Sequence, residues 1–343
     1  MTENTYYKPR LVIGDKEILK GMSGSVTFSG SSQANSCTCK ITDPDFQNDK
    51  LYGKELKVYL NYGSEDGIPI FRGYIKEIKP NDTETNITAV DGRMFITGIN
   101  STMVELTDDE NFDGYSLASF LHNFIDNKIN INNTLIGLDA LRDTNPIVTL
   151  NGERTKEPTS VYDLTVKKLK SAIDSDDLEK PLSYFIDMID DGKKNNITIV
   201  KEKQLTETPS LYLSFSNGII KYSYNRRAPP TFAAGGGTTF RYTNEPRGSV
   251  GINLSGDYKD KKTARTEFIK EILLHNRETD EISIKANKGH YISIGSIINL
   301  KTENADIDGN HRLTSKKIDF NTSGVNLSLT LNKKPIVLSG YIN

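Results

Sequence analysis

At 343 residues the chain is too long for one ordinary domain and suits two or three. Hydrophobic residues are 36% of it and the mean hydropathy is -0.49, but 16 Tyr and 13 Phe supply bulky core material for a β-rich, polar-surfaced protein. A net charge of -2 argues against a broad basic surface for duplex nucleic acid, and no run approaches the ~20 apolar residues that span a bilayer.

The N-terminus, Met1-Thr-Glu-Asn-Thr-Tyr-Tyr7, has no charged-then-apolar leader pattern. The protein is therefore expected to stay in the cytosol that makes it unless a larger assembly carries it out. The first hundred residues read as strand and turn. Leu11-Val-Ile13 and Glu17-Ile-Leu19 flank a Gly14-Asp15 turn, a tight hairpin by its turn chemistry. Ser25-Val-Thr-Phe28 follows, then polar residues 29–36 and Cys37-Thr-Cys-Lys-Ile41. After a Gly53 turn come Leu56-Lys-Val-Tyr-Leu60, a strand starting at Gly73 with Tyr74, Ile75 and Ile78 alternating, and Asn86-Ile-Thr-Ala-Val90. Closure into a small antiparallel barrel would leave few free edges. Cys37 and Cys39, the only cysteines, sit at i and i+2 on one strand face, where a bridge between them would be strained. They read as small core residues of a reduced protein.

From about residue 100 the pattern changes. Leu117, Phe120, Leu121, Phe124, Ile125 and Ile129 have the spacing of an amphipathic helix over 116–130. Ser160-x-x-Asp163 resembles a helix-capping arrangement. Residues 182–189 are expected to form a further short helix, ahead of the strand Asn196-Ile-Thr-Ile-Val200. Strand character returns at 211–215 and 219–224. A long loop over 225–249 carries Arg226, Arg227, Phe232, Phe240, Arg241 and Arg247 in an otherwise neutral chain, a candidate docking loop for an acidic partner. A helix is expected over 261–275.

The last strands repeat the first in pattern and spacing. Glu281-Ile-Ser-Ile-Lys285 matches 37–41 and a Gly295 turn matches Gly53. Ile297-Ile-Asn-Leu300 matches 56–60, 309–318 matches 71–78, and Val325–Leu331 matches 86–90. Fold class is thus mainly β (α+β): two similar small antiparallel β-barrels flanking a mixed α/β insert. The expected divisions are 1–100, 101–205, 206–335 and a C-terminal tail, 336–343.

Motifs for catalysis or cofactor binding are not found. His122, His275, His290 and His311 show no metal-binding spacing and read as structural residues. No GxSxG elbow occurs. The carboxylate runs at 108–110, 176–177 and 190–191 fall at predicted turns or helix ends. Residues 306–310 lack most calcium-loop ligands, so Asp308-Gly309 is expected to be a type I′ turn. Gly235-Gly-Gly237 runs into an extended segment, without the helix and Lys-Ser/Thr pair of a phosphate loop. No catalytic residue, cofactor or metal is expected.

The ordered set resembles one family, the baseplate hub proteins of contractile-tailed phages (the late-control or tail-hub family), to which the first part of type VI secretion spike proteins is related. The carrying stretches are Ser25-Val-Thr-Phe28 with Ala34-Asn-Ser-Cys-Thr-Cys-Lys-Ile-Thr-Asp43, then Gly53–Leu60 with Ile70-Phe-Arg-Gly-Tyr-Ile-Lys-Glu-Ile78, a Phe-x-Gly-x-Ile hairpin. The third is the 261–275 segment with Ile282–Ile284, Ile294–Leu300 and Asp308–Leu313. The short insert and the 225–249 loop depart from better-known members, and no spike or peptidoglycan-cleaving segment follows the second barrel, so such activity is expected of a separate protein.

The resemblance implies a non-enzymatic virion protein of the tail baseplate, assembled in the host cytoplasm. It implies a homotrimer whose six barrels adapt a six-fold tail tube to a three-fold spike. Implied partners are the spike (needle) protein, the tail tube protein and other baseplate proteins, with DNA passing through the channel without sequence-specific binding and no stable membrane insertion. A distal tail or tube-initiating protein would show similar barrels. A glycan-cleaving tail enzyme or a carbohydrate-binding module is a more distant alternative, given that the chain contains no Trp.

Overall fold

The computed structural model describes residues 8–30, 34–43, 46, 49–60, 67–93, 184–190, 195–201, 203–225 and 281–332, and shorter pieces at 103–104, 119, 121, 136–138, 159–160, 232–235, 238–241 and 251–253. Strands dominate. The first seven are β1 (Arg10–Ile13), β2 (Lys16–Ile18), β3 (Met22–Ser29), β4 (Ser36–Ile41), β5 (Glu55–Tyr59), β6 (Phe71–Pro80) and β7 (Thr85–Val90). Then come β8 (Met103–Val104), β9 (Ile136–Leu138), β10 (Thr159–Ser160), β11 (Tyr184–Asp190) and β12 (Asn195–Lys201). Next are β13 (Leu211–Ser214), β14 (Ile219–Asn225), β15 (Phe232–Gly235), β16 (Thr238–Arg241) and β17 (Gly251–Asn253). The last are β18 (Glu281–Ala286), β19 (Ile297–Lys301), β20 (Gly309–Asn321) and β21 (Gly324–Asn332).

The two ends of the chain share one strand order. In the first half the neighbours run β3-β4-β7-β6-β5-β1, and in the second β14-β18-β21-β20-β19-β13. All pairs in these rows are antiparallel except β13 with β19, which is parallel. The likeness extends to irregularities. β6 bulges against β7 between Ile75 and Glu77, and β20 bulges against β21 between Leu313 and Ser315. Gly53 and Gly295, both with left-handed φ, precede the paired strands β5 and β19. The Gly53 N–H donates to the Ile75 carbonyl at 2.9 Å, and the Gly295 N–H to the Leu313 carbonyl at 2.8 Å. Matching through these bonds pairs Cys37 with Ile282, one residue on from the match read in the sequence. The burial alternation of β4 and β18 agrees with the corrected register.

Among the described residues the pairing does not close into two barrels. β20 is 13 residues long and divides its pairing: Gly309–Arg312 face β19, while Ser315–Asn321 face β3 of the other half. The β3 edge is thereby used to join the halves into a single 13-stranded sheet. Each half keeps its own core. One holds Leu11, Val26, Ile41, Leu56, Val58 and Ile87, and the other Ile282, Ile284, Ile298, Leu300, Leu313 and Leu329.

Several sequence expectations are corrected. The 182–189 segment is strand, not helix: Tyr184–Asp190 pairs antiparallel with Asn195–Lys201 throughout. Its apolar run is too short to tell helix from strand by periodicity, and an adjacent Ile-Thr-Ile-Val partner decides for the sheet. β6 starts at Phe71, and its first five residues, Phe71–Ile75, are all buried, so the alternation expected from Gly73 does not appear there. Asp308-Gly309 is not a type I′ turn, since no non-glycine residue described has positive φ. A loop over 302–308 stands there instead, closed by Asp308 Oδ1, which accepts from the Thr302 N–H at 2.6 Å and Oγ1 at 2.9 Å. The 225–249 stretch is not loop throughout, because β15 and β16 pair within it. Of the 116–130 helix only Ser119 and Leu121 are described, both helical. Ser160 pairs with Met103, and the rest of that capping stretch and the 261–275 helix lie outside the described residues.

Candidate functional site

The candidate site is built around the joint between the two halves. β3 and the distal part of β20 pair antiparallel from Ser29↔Ser315 to Ser23↔Asn321. Two further bonds reinforce the ladder: Ser315 Oγ donates to the Phe28 carbonyl at 3.1 Å, and the Gly30 backbone N–H donates to the Thr314 backbone carbonyl at 3.0 Å. Phe320 lies opposite Gly24. A Cβ on Gly24 would fall 2.7 Å from the Phe320 ring and 2.6 Å from the Thr38 carbonyl. The missing side chain is what lets a ring from the second half enter the first half's core. In β6 a related packing explains Phe71-x-Gly73: the Phe71 ring occupies the space over Gly73, 2.6 Å from where a Cβ would be.

Beside the joint lies a buried polar cluster. Asp91 follows β7 and accepts from Arg93, whose Nε stands 3.2 Å and Nη2 3.1 Å from Oδ2. Both side chains are nearly inaccessible. Arg93 Nη1 also donates to the carbonyls of Ser29 at 3.4 Å and Ile186 at 3.3 Å, tying the β11–β12 hairpin to the end of β3. Asn35 completes the tie. Its N–H donates to Asp91 Oδ2 at 3.1 Å, and its Oδ1 accepts from the Ser29 N–H at 3.1 Å. The Asn35 of the Ala-Asn-Ser step therefore closes the ends of β3 and β7. Gly92 lets β11 approach, for a Cβ there would stand 3.1 Å from Met188 Cε.

On the other wall Lys316 is buried. Its Nζ donates to the carbonyls of His290 at 2.7 Å and Ile292 at 2.9 Å and sits 4.3 Å over the Phe28 ring. Burial pulls its pKa down to about 8, and Asp187 pushes it back up. Asp187 itself is raised, chiefly by burial and against the pull of Arg93. Burial, aided by the Lys316 charge, lowers His290 to about 4. Between these walls is a cavity of about 200 Å³, lined by Asn35, Arg72, Asp187, His290, Tyr291 and Lys316 among others.

A pH dependence follows from this cluster. His290 has a folded-state pKa (about 4) below its ordinary 6.5, so its stabilising contribution is complete above 6.5 and is lost as pH falls towards 4. Asp187, raised above 3.8, acts in the opposite sense on acidification, and Lys316 stays charged on both sides of that window. The urea midpoint is expected to fall more between pH 7 and pH 5 in the wild type than in His290→Gln. Equal falls would remove His290 from the account.

Of the candidate docking residues, Phe232 stands opposite Arg241 in the β15–β16 register and Phe240 opposite Ala233. Arg226, Arg227 and Arg247 lie outside the described residues. The cysteines are free and buried, and hydrogen bonding with Cys39 followed by burial holds the Cys37 thiol well above its ordinary value. His311 Nε2 lies 2.8 Å from the Ile307 carbonyl. The charged cluster was missed by sequence reading. Its one local sign is Asp91-Gly-Arg93, two opposite charges around a glycine directly after an apolar strand.

No family model and no curated protein sequence matches the chain, but solved structures do. The tail protein of Neisseria meningitidis MC58 matches with a TM-score of 0.66 at 14% identity, over 98% of this chain and 99% of that one. The 43 kDa tail protein of prophage MuSo2 from Shewanella oneidensis matches with a TM-score of 0.68 at 10% identity, over 96% and 99%. An Escherichia coli component of the type VI secretion system, itself similar in structure to the T4 phage tail proteins gp27 and gp5, matches with a TM-score of 0.55 at 8% identity, over 94% and 76%. The chain therefore has a tail-protein fold: two like antiparallel β halves, mostly strand, joined edge to edge. At these identities it is the fold that is shared.

Proposed function

We propose that this chain is a structural protein of a phage tail, and specifically the baseplate hub of a contractile tail. Three copies would present six like halves in a pseudo-six-fold ring that receives the six-fold tube on one side and the three-fold spike on the other. The observation that carries this reading is the repeat within the chain. It matches strand order, bulge position and glycine turns, so one copy already places two equivalent surfaces side by side. The fold shared with tail proteins and with a type VI secretion component supports the same role. The work done is geometric, without catalytic residues or cofactor. DNA would pass through the lumen, and a net charge of -2 suits a channel that does not hold phosphate. Arg226, Arg227, Phe232, Phe240, Arg241 and Arg247 are proposed to dock an acidic partner, spike or tube, within the virion.

Native mass spectrometry at micromolar concentration tests the reading. Three chains of 38.3 kDa, about 115 kDa, is the expected species. A hexamer would favour a distal tail or tube-initiating protein. A monomer that persists after co-expression with spike and tube candidates would overturn the hub and return a glycan-cleaving enzyme to consideration.

A further inference from the structure

The joint inside the chain identifies the surfaces that a second copy would use. It consumes one edge from each half: β3 of the first and the distal part of β20 of the second. The repeat supplies an equivalent of each. β14 corresponds to β3, and the part of β6 beyond its bulge, Glu77–Pro80, corresponds to the part of β20 that begins at Ser315. Among the described residues neither of these edges has a strand partner on its outer side. Among the described residues, a chain whose two halves are joined β3-to-β20 thus keeps one unpaired copy of each complementary edge.

The chemistry of the unused edges fits burial. Along β14 and the turn that precedes it, Ile220 is 63% exposed, Phe215 49% and Tyr224 43%. The rings of Phe215 and Tyr222 lie 5.7 Å apart. Exposed apolar side chains on and beside an unpaired strand are a liability in an isolated protein and mark an interaction surface. On β6, Lys79 is exposed and Pro80 carries no N–H. The new ladder is therefore shorter than the internal one and depends more on side-chain cover.

We infer that β14 of one copy adds to β6 of a second copy, antiparallel and in the register of the internal joint, so that head-to-tail repetition of this contact closes the assembly. The inference rests on the oligomeric reading above and names the surface that makes it. Transferring the β3–β20 register sets Lys79 of the second copy opposite Asn225 of the first, as Lys317 faces Thr27, and Pro80 opposite Tyr224, as Ile318 faces Val26. Directly opposed residues in antiparallel strands have Cα atoms ~4.5 or ~5.5 Å apart, alternately, and both distances accept a disulfide.

The full chain carrying Lys79→Cys with Asn225→Cys, and separately Pro80→Cys with Tyr224→Cys, is oxidised and run without reductant. The native cysteines are buried in the first half's core. Inter-chain cross-links up to the covalent trimer are expected from at least one double variant and from no single variant. In parallel, Ile220→Lys with Tyr224→Lys is expected to shift the native mass from trimer to monomer while circular dichroism keeps the β signal. A trimer that neither cross-links in either pair nor dissociates in the lysine variant would overturn this contact and leave the hub reading standing. A wild-type monomer would overturn both.

Discussion

Replacing Arg93 by Ala is expected to cost about 3–5 kcal/mol of stability, because it strands a buried carboxylate. Among the described residues Asp91 would keep two backbone donors, the N–H groups of Asn35 and residue 93, each at 3.1 Å. The loss should appear as a lower urea midpoint at unchanged slope. It should also be local: Arg93 Nη1 holds the Ile186 carbonyl, so amide exchange in β11 should quicken more than in β5. The neutral double change Asp91→Asn with Arg93→Met removes both charges and keeps one carbonyl oxygen, an acceptor for one of the two N–H groups. It is expected to cost less than Arg93→Ala alone. A single change no worse than the double would mean that the charge pair is not what holds this corner together.

Phe320→Ala is expected to cost a comparable ~3–5 kcal/mol, the usual range for emptying a buried aromatic site. The informative part is where the loss falls. Phe320 belongs to β20 in the second half, yet it packs within the first half's core with Val26 and Cys39. Exchange protection should therefore drop in β3 and β4 as well as in β20. Phe320→Leu should lose much less, since it keeps most of the apolar volume. If only the second half loosened, the halves would be stable separately and the joint would be a passive contact.

Much of the outer architecture was legible in the sequence because its determinants are local. Alternation along residues 37–41 and 281–285 specifies a half-buried strand, and Gly14, Gly53 and Gly295 mark turns whose backbone needs a left-handed φ. Phe71-x-Gly73 was visible as a motif, although its reason, a ring over a bare backbone, is a packing fact. The segment 182–189 was misread because a short apolar run is compatible with either helix or strand until a partner strand pairs with it.

By itself the sequence determined that the protein is β-rich, repeated and polar-surfaced, with Cys37 and Cys39 facing one way. Those properties follow from residue type and spacing along the chain. Only the tertiary structure decided that the repeats join into one sheet, since β20 can serve β19 and β3 at once only by running past both. Only it brought Asp91, Arg93, Asp187, His290 and Lys316 into one buried cluster, from positions up to 225 residues apart in the chain. Burial of charge is a property of the assembled surroundings, and no local pattern encodes it.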